Sequence, residues 1–268
     1  MPMQEDIDAR IQSYYTSVFD EHARLTTRSA QGPLEYVRTQ ELIREHVSAG
    51  KMIDIGGGAG VHARALADAG YVVEVLDPVS RHVEQARALG LNARVGDARE
   101  LPFCAGSFDA ALLLGPLYHL VAYADRILAL REAARVVAPG GFVFAAGLSR
   151  YIAFGQATLG RDAPEPYPGE WVSLAAQGKP ADGMRFPAGH FHTAEELASE
   201  ATAAGLDVIE VVGVEGPAGI LLESMVDAGE ELSRAALAIA RAAADRPGVR
   251  DMSAHLIAVA RVPGGSGG

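Results

Sequence analysis

The chain has 268 residues, 49% of them hydrophobic, and carries a formal net charge of −11. This length fits one large α/β domain with an insertion, and an acidic chain without basic clusters is a poor binder of nucleic acid or of an anionic membrane surface. The only cysteine, Cys104, excludes an intrachain disulfide framework and is typical of the reducing cytoplasm, where we expect the protein to reside. We expect a monomer or a homodimer with no nucleic-acid or membrane partner.

Residues 1–49 are predicted to form a helical flap ahead of the first strand. Apolar residues recur there at helical spacing in two groups. The segment between the groups, residues 20–33, is polar and is expected to break at Gly32-Pro33. Two helices in this position would lie over a cleft in the following domain.

The stretch KMIDIGGGAG, residues 51–60, joins a short apolar strand to a glycine turn and then to a helical pattern. An α/β domain binds an adenosine-bearing cofactor with this arrangement of strand, glycine turn and helix. Glycine has no side chain, so the backbone can bend tightly, the ligand can approach it, and the N–H groups at the helix start can face the ligand.

The spacing of these glycines leaves two cofactor classes to compare. From Gly58 the turn matches G-x-G-x-x-A, a dinucleotide spacing, and Asp77 lies near the distance expected for a ribose-binding acid. The apolar strand ends at Ile55, however, so the turn begins at Gly56 and has the spacing G-x-G-x-G. The acidic Asp54 inside the strand also argues against a nicotinamide or flavin site.

Strands and helices are predicted to alternate after this turn. Apolar runs predict further strands at residues 71–76, 92–95, 110–114, 142–146, 208–214 and 255–262. Helical periodicity predicts helices at residues 61–69, 80–89, 124–138, 193–204 and 220–244. The second-last helix begins with a capping box formed by Thr193 and Glu196, and Gly229 is expected to break the last one. This alternation is typical of a parallel sheet covered by helices.

Five segments follow one another in a recognisable order and spacing over roughly residues 50–148: IDIGGGAG, VEVLD, GDARELPF, SFDAALLLGPLYHL and EAARVVAPGGFVFAA. Together they resemble the core of class I S-adenosylmethionine-dependent methyltransferases. The segments GPLYHL and EHARL are similar to bacterial small-molecule methyltransferases of the broad methyltransferase-domain type. The exit of the fourth strand lacks the NPPY-type signature of enzymes that methylate the amino groups of nucleobases.

The resemblance implies a Rossmann-like α/β fold with strand order 3-2-1-4-5-7-6 and an antiparallel last strand. Residues 50–262 would form the methyltransferase domain, with residues 1–49 as the flap and residues 263–268 as a flexible tail. The aromatic-rich and proline-rich segment 147–190 departs from the core pattern. We interpret it as an insertion that forms a lid over the methyl acceptor, the alternative being a mobile surface excursion.

The resemblance also implies that S-adenosylmethionine binds across the carboxyl ends of strands 1, 2 and 4 and leaves as S-adenosylhomocysteine. Asp77 would accept both ribose hydroxyls, unless it caps a helix, and Asp97 would accept the adenine amino group, unless it belongs to a turn. Arg24 and Tyr15 would reach the charged amino-acid end, unless they only pack or remain solvated. The expected cofactor contacts are Tyr15, Arg24, Asp54, Gly56, Gly58, Gly60, Asp77, Pro78, Asp97, Ala98 and Leu114.

Histidine suits a general base near neutral pH, and three histidines are predicted to lie near the cleft. These catalytic candidates are His119, His190 and His192, each with a structural alternative such as bracing a loop. The expected acceptor contacts are Tyr14, Tyr118, Trp171 and Phe186. No metal is expected, because two histidines without nearby carboxylates or cysteine make a weak site.

The expected function is methyl transfer from S-adenosylmethionine to an oxygen, nitrogen or carbon nucleophile of a small molecule, such as a secondary metabolite. A nucleophile that is already deprotonated would need no base, so positioning alone is an alternative mechanism. Two other functions stay open: a non-catalytic S-adenosylmethionine-binding module and an NAD-dependent oxidoreductase.

Overall fold

The computed structural model describes residues 3–17, 21–151, 169–180 and 186–264. Its strands are β1 Lys51–Ile55, β2 Val72–Asp77, β3 Asn92–Val95, β4 Phe108–Leu113, β5 Val137–Leu148, β6 Asp207–Gly213 and β7 His255–Arg261. They form one seven-stranded sheet in the order β3-β2-β1-β4-β5-β7-β6. Strand β7 runs antiparallel to its neighbours β5 and β6, and the other neighbouring pairs are parallel. The predicted fold is confirmed.

Helices lie on both faces of this sheet. They are α1 Gln4–Ser17, α2 Glu21–Thr26, α3 Gln31–His46, α4 Val61–Asp68, α5 Ser80–Ala88, α6 Tyr123–Val136, α7 Gly169–Gln177, α8 Ala194–Ala203, α9 Gly219–Glu223 and α10 Gly229–Ala243, with 3₁₀ turns at Pro116–His119 and Arg250–Met252. Among the described residues, no helix combines the length and the apolar character that crossing a membrane requires.

The central strands β1 and β4 separate two hydrophobic layers. Successive strand residues point to opposite faces, so Ile53 and Leu113 enter one layer while Met52 and Leu112 enter the other. Helices α6 and α8 complete the first layer, and helices α3, α4 and α5 complete the second. Burial on both faces explains why the fourth strand reads as a nearly continuous apolar run.

Local sequence signals decide where several helices begin and end. The capping box is confirmed: the Thr193 hydroxyl accepts the Glu196 N–H, and the Glu196 carboxylate accepts the Thr193 N–H. The break at Gly229 is also confirmed, with φ of 69° in the left-handed region. The predicted break at Gly32-Pro33 is wrong. Both residues lie in the first turn of α3, where the missing proline N–H has no helical partner to lose.

Strand β5 is longer than predicted, because it starts at Val137 instead of residue 142. Gly140 and Gly141, which lie between the predicted helix at residues 124–138 and the predicted strand at residues 142–146, are themselves part of this strand. Gly140 donates its N–H to the Val262 carbonyl at 2.8 Å, and the Val262 N–H bonds the Gly141 carbonyl at 2.9 Å. Pairing with the residue that follows β7 therefore extends the strand backwards.

The predicted lid is described only in part. Residues 152–168 and 181–185 lie outside the described residues, as do the side chain of Trp171 on α7 and the tail residues 265–268. The described end of the segment packs on the domain through a small cluster in which Leu174 and Phe191 are buried beside Phe186. Its role as a lid stays a prediction.

Candidate active site

A cavity of about 330 Å³ lies at the carboxyl ends of β1, β2, β4 and β5 and beneath the helices α1 and α3. Most of the predicted site residues line it, namely Tyr15, Arg24, Asp54, Gly56, Gly58, Asp77, Pro78, Asp97, Ala98, Leu114, Tyr118 and His119. Other predicted residues lie outside its walls, namely Tyr14, Gly60, Phe186, His190 and His192. The cavity is where ligands of open α/β sheets bind.

The glycine turn shapes the floor of this cavity. Gly56 has φ of 70°, and a Cβ there would lie 2.8 Å from the Pro116 ring. Its N–H bonds the Leu76 carbonyl at 2.6 Å, and the Gly58 N–H bonds the Asp77 carboxylate at 2.9 Å. These two N–H groups therefore hold the turn against β2, and the expected role of the N–H groups at the start of α4 stays a prediction. Gly60 packs against Leu91 and serves helix packing.

Asp77 is buried at the end of β2, with only 5% of its surface exposed. Its carboxylate accepts the N–H groups of Gly58 and Val79, both at 2.9 Å, and the Nδ1–H of His82 at 3.1 Å. A carboxylate offers roughly four acceptor positions, so these donors orient Asp77 and leave capacity for a ribose hydroxyl. His82 was missed by the sequence analysis, because a histidine in a helix five residues later carries no signature.

Asp97 stands at the opposite rim and is more open. Arg99 holds it with a bidentate ion pair at 2.6–3.1 Å, and reaches Asp8 of α1 at 3.7 Å as well. Burial favours a higher pKa for Asp97, but the hydrogen bonds and charge of Arg99 lower it. Asp97 is thus ionised. Arg99 uses part of its hydrogen-bonding capacity, so only the remaining part is available to a ligand in the cavity.

Tyr15 and His119 join the flap to the loop that follows β4. The Tyr15 hydroxyl lies 3.2 Å from His119 Nε2, and His119 Nδ1 lies 2.8 Å from the Pro187 carbonyl. A carbonyl can only accept, so Nδ1 carries the proton and Nε2 accepts from the tyrosine. The ring of Tyr15 also contacts the ring of His82, with centroids 5.3 Å apart. This contact places Tyr15 over the side of the cavity where Asp77 lies.

Replacing Tyr15 with Phe is expected to loosen α1 without unfolding the domain. One hydrogen bond of this kind contributes about 0.5–1.5 kcal/mol, so exchange of the α1 amides should rise by roughly two- to tenfold. Hydrogen exchange followed by mass spectrometry measures this directly. The control is Tyr123→Phe at an exposed tyrosine on α6. Unchanged exchange in α1 of the Tyr15 variant would show that this contact does not hold the flap.

An aromatic group closes the cavity from outside. The Phe186 ring lies 5.2 Å from His119, 5.9 Å from Tyr118 and 6.0 Å from Tyr14, measured between centroids. The Tyr118 carbonyl accepts the Gly189 N–H at 2.7 Å, which fixes the described end of the predicted lid to this loop. Tyr14 and Phe186 therefore support the wall that Tyr118 and His119 line.

Arg24 is committed to an ion pair that the sequence did not reveal. Its guanidinium holds the carboxylate of Glu35 through two nitrogens, one of them at 2.9 Å. Burial alone would raise the pKa of Glu35, but the charges of Arg24 and His255 lower it to about 2. Arg24 thus lines the cavity already paired with a carboxylate, and fewer of its N–H groups remain for the amino-acid end of a cofactor.

His190 and His192 belong to a buried polar network beside the cavity. His192 is fully buried, and its Nε2 lies 3.3 Å from a Glu200 carboxylate that Arg126 also holds at 2.7 Å. Burial, then the charges of His192 and Arg126, lower the pKa of His190 to about 3. Although His190, His192 and Glu200 are close enough to share an ion, the guanidinium already supplies the positive charge there. This geometry favours a structural role for both histidines.

Comparison with known proteins agrees with this geometry. The family model described as a methyltransferase domain matches residues 53–145. A ubiquinone biosynthesis O-methyltransferase of Methylocella silvestris is 32% identical over 171 residues, which make up 61% of this chain and 60% of the relative. The chain thus spans about three fifths of the length of that relative.

Two solved structures share the fold. A Thermotoga maritima S-adenosylmethionine-dependent methyltransferase, described as a possible histamine N-methyltransferase, has a TM-score of 0.60 and 18% identity, covering 97% of this chain and 99% of that one. The Burkholderia thailandensis 1,6-didemethyltoxoflavin-N1-methyltransferase, solved with 1,6-didemethyltoxoflavin and S-adenosylhomocysteine, has a TM-score of 0.56 and 16% identity, covering 98% and 92%. The chain therefore contains a methyltransferase domain, and its sheet order and glycine turn are those of the class I S-adenosylmethionine-dependent methyltransferase fold.

Proposed function

We propose that the protein transfers a methyl group from S-adenosylmethionine to an oxygen, nitrogen or carbon nucleophile of a small molecule. The observation that carries this proposal is one continuous cavity that runs from Asp77 on β2, past the glycine turn, to His255 on β7. Such a cavity, at the carboxyl ends of parallel strands, is where ligands of open α/β sheets bind. S-adenosylmethionine, when bound, supplies an electrophilic methyl group on a sulfonium sulfur.

The residues at the β2 end suit the adenosine part of the cofactor. The oriented carboxylate of Asp77 is a ribose acceptor, and Pro78, Ala98 and Leu114 offer an apolar lining for a base. Left-handed Gly56 keeps the floor free of a side chain, so that a ligand can lie close to the backbone. Tyr15 and His119 then hold α1 over this end and help to exclude water.

A small acceptor fits the charge and the shape of the molecule. The net charge of −11 disfavours a nucleic-acid substrate, whose phosphates attract basic surfaces. The flap and the aromatic group around Phe186 cover the cavity and leave limited room for a folded partner. We extend the proposal to a protein that works in the cytoplasm, as a monomer or a homodimer.

Binding of S-adenosylhomocysteine is expected to stabilise the fold, and NAD is not. At a hundredfold excess over the dissociation constant the gain is about 2.7 kcal/mol, which corresponds to a rise in melting temperature on the order of 5–10 °C. Differential scanning fluorimetry with each ligand measures it. Stabilisation by NAD alone would favour an oxidoreductase. Stabilisation by S-adenosylhomocysteine without transfer from radiolabelled S-adenosylmethionine to any acceptor of a broad panel would favour a binding module.

A further inference from the structure

The acceptor end of the cavity contains a histidine that the sequence analysis did not single out. His255 begins β7 and pairs with Leu148 at the carboxyl end of β5. If the cofactor spans β2, β1 and β4, this is the end left for the acceptor. The His255 ring lines the cavity, and it is held from behind by Glu215, a fully buried residue in the loop that follows β6.

Glu215 fixes both the position and the tautomer of His255. One carboxylate oxygen lies 2.6 Å from His255 Nδ1, and the other accepts the His255 backbone N–H at 3.0 Å. Gln31 donates to the same carboxylate at 3.1 Å. An ionised carboxylate only accepts, so Nδ1 carries the proton, and the lone pair of the neutral ring is on Nε2. Among the described residues, Nε2 makes no hydrogen bond.

This arrangement differs from that of His119. The Nε2 atom of His119 accepts a hydrogen bond from Tyr15. In His255, by contrast, Nδ1 donates to the Glu215 carboxylate and the ring lines the cavity. A carboxylate that orients a histidine and stabilises its imidazolium is how a histidine is made an effective proton acceptor. Burial lowers the pKa of His255, but Glu35 and Glu215 together raise it above its usual value.

A metal ion is the competing occupant of this cluster. Ligand atoms of Glu35, Glu215 and His255 all lie within 4.8 Å of one another. However, the Arg24 guanidinium already forms an ion pair with Glu35, and His255 Nδ1–H donates a hydrogen bond to Glu215. The two carboxylates therefore already face two positive or proton-bearing groups, and a further divalent cation would be repelled by Arg24.

We propose that His255, oriented by Glu215, takes the proton from an acceptor with a weakly acidic hydroxyl group. The acceptor oxygen forms a bond to the methyl carbon, the carbon–sulfur bond breaks with its electron pair remaining on sulfur, and the hydroxyl proton passes to His255 Nε2. His255 is then an imidazolium between Glu215 and Glu35. This inference rests on the proposed methyltransferase function and adds to it the proton acceptor and the class of acceptor.

The test uses para-substituted phenols as acceptors with the full-length enzyme. His255→Gln is expected to lower kcat for 4-methylphenol by roughly 10²–10⁴-fold, which is the usual effect of losing a general base. The effect should be far smaller for 4-nitrophenol, which is ionised near neutral pH and has no proton to give. His46→Gln is the matched control, because His46 forms a histidine–glutamate pair with Glu210 at 3.0 Å outside this cavity.

Glu215→Gln tests the positioning residue with a readout that does not depend on turnover. We expect the pKa of His255 to fall in this variant, because a negative charge beside its imidazolium is removed. A proton NMR titration of the enzyme loaded with S-adenosylhomocysteine measures it, with His255→Gln to assign the signal. The other charged groups that face His255 are Glu35 and Arg24, with His62 beyond Glu35. These groups are the same in the wild type and in Glu215→Gln, so a change in the pKa of His255 can be assigned to Glu215.

Several outcomes would overturn the inference. They are an unchanged His255 pKa in Glu215→Gln, equal losses for both phenols in His255→Gln, a loss of activity on chelation, and no transfer to any phenol of the series. S-adenosylhomocysteine affinity separates these failures from failure of the proposed function. If the wild-type protein binds it and methylates another acceptor class, the function stands and only the proton acceptor is wrong.

Discussion

Glu200→Gln is expected to destabilise the fold by about 3–5 kcal/mol, the usual result of removing one partner of a buried ion pair. Arg126 and Glu200 are each only about 4% exposed, and the guanidinium holds the carboxylate with three contacts at 2.7–3.0 Å. Fully buried His192 adds a contact at 3.3 Å. A neutral amide would leave the Arg126 charge buried without a counter-charge.

Urea unfolding of the wild type and the variant measures this loss. Asp68→Asn is the matched control, because Arg64 and Asp68 form an exposed pair one helical turn apart, worth only about 0.3–0.5 kcal/mol. A Glu200→Gln loss no larger than the control would contradict the assignment of Arg126 and Glu200 as a stabilising pair. It would mean that the amide and nearby water replace the carboxylate.

The same pair makes stability depend on acid pH. Burial raises the pKa of Glu200, but hydrogen bonds and charges from His192 and Arg126 lower it to about 2, below the ordinary value of 4.5. A lowered folded-state pKa contributes stability that is complete above the unfolded pKa and is lost as pH falls from 4.5 towards 2. The pKa of Glu35 is also lowered, from 4.5 to about 2, so Glu35 contributes stability over the same pH interval. The Glu200→Gln variant should therefore lose less stability over this interval than the wild type.

The parts of the site that the sequence could predict are those encoded within one strand-turn-helix unit. The turn from Gly56 and the carboxylate of Asp77 stand at the ends of adjacent parallel strands, so strand order alone brings them together. The left-handed φ at Gly56 is also a local requirement that the residue type reveals. Local signals similarly decided the start of α8 at Thr193.

The partners of the charged groups could not be predicted in this way. Glu35, Glu215 and His255 lie on α3, in the loop after β6 and on β7, and only the packing of α3 over the sheet brings them together. Arg24 has the residue type for a cofactor carboxylate, but a buried glutamate eleven positions away reaches it first. Side-chain pairing across elements depends on tertiary contacts, for which a single sequence carries no periodic signal.

The second large effect is expected for Asp77, when the two carboxylates predicted to bind the cofactor, Asp77 and Asp97, are each replaced and binding is compared. Asp77→Asn is expected to weaken S-adenosylhomocysteine binding by roughly tenfold to 10²-fold, because the charge-assisted hydrogen bond that the carboxylate can accept from a ribose hydroxyl, worth about 1.5–3 kcal/mol, is lost. The donors from Gly58, Val79 and His82 orient this carboxylate, so little order is lost when a ribose binds. Asp97→Asn should weaken binding about tenfold or less.

Titration calorimetry with the two variants measures this difference. The side chain of Asp97 is 48% exposed and already paired with Arg99, so its hydrogen bond to a ligand competes with water and with the guanidinium. The amide that Asp77→Asn introduces would also meet the N–H donors of the glycine turn, so circular dichroism must first show that the variant is folded. A folded Asp77→Asn variant with wild-type affinity would remove Asp77 from the site. The cofactor would then have to be held mainly from the Asp97 rim.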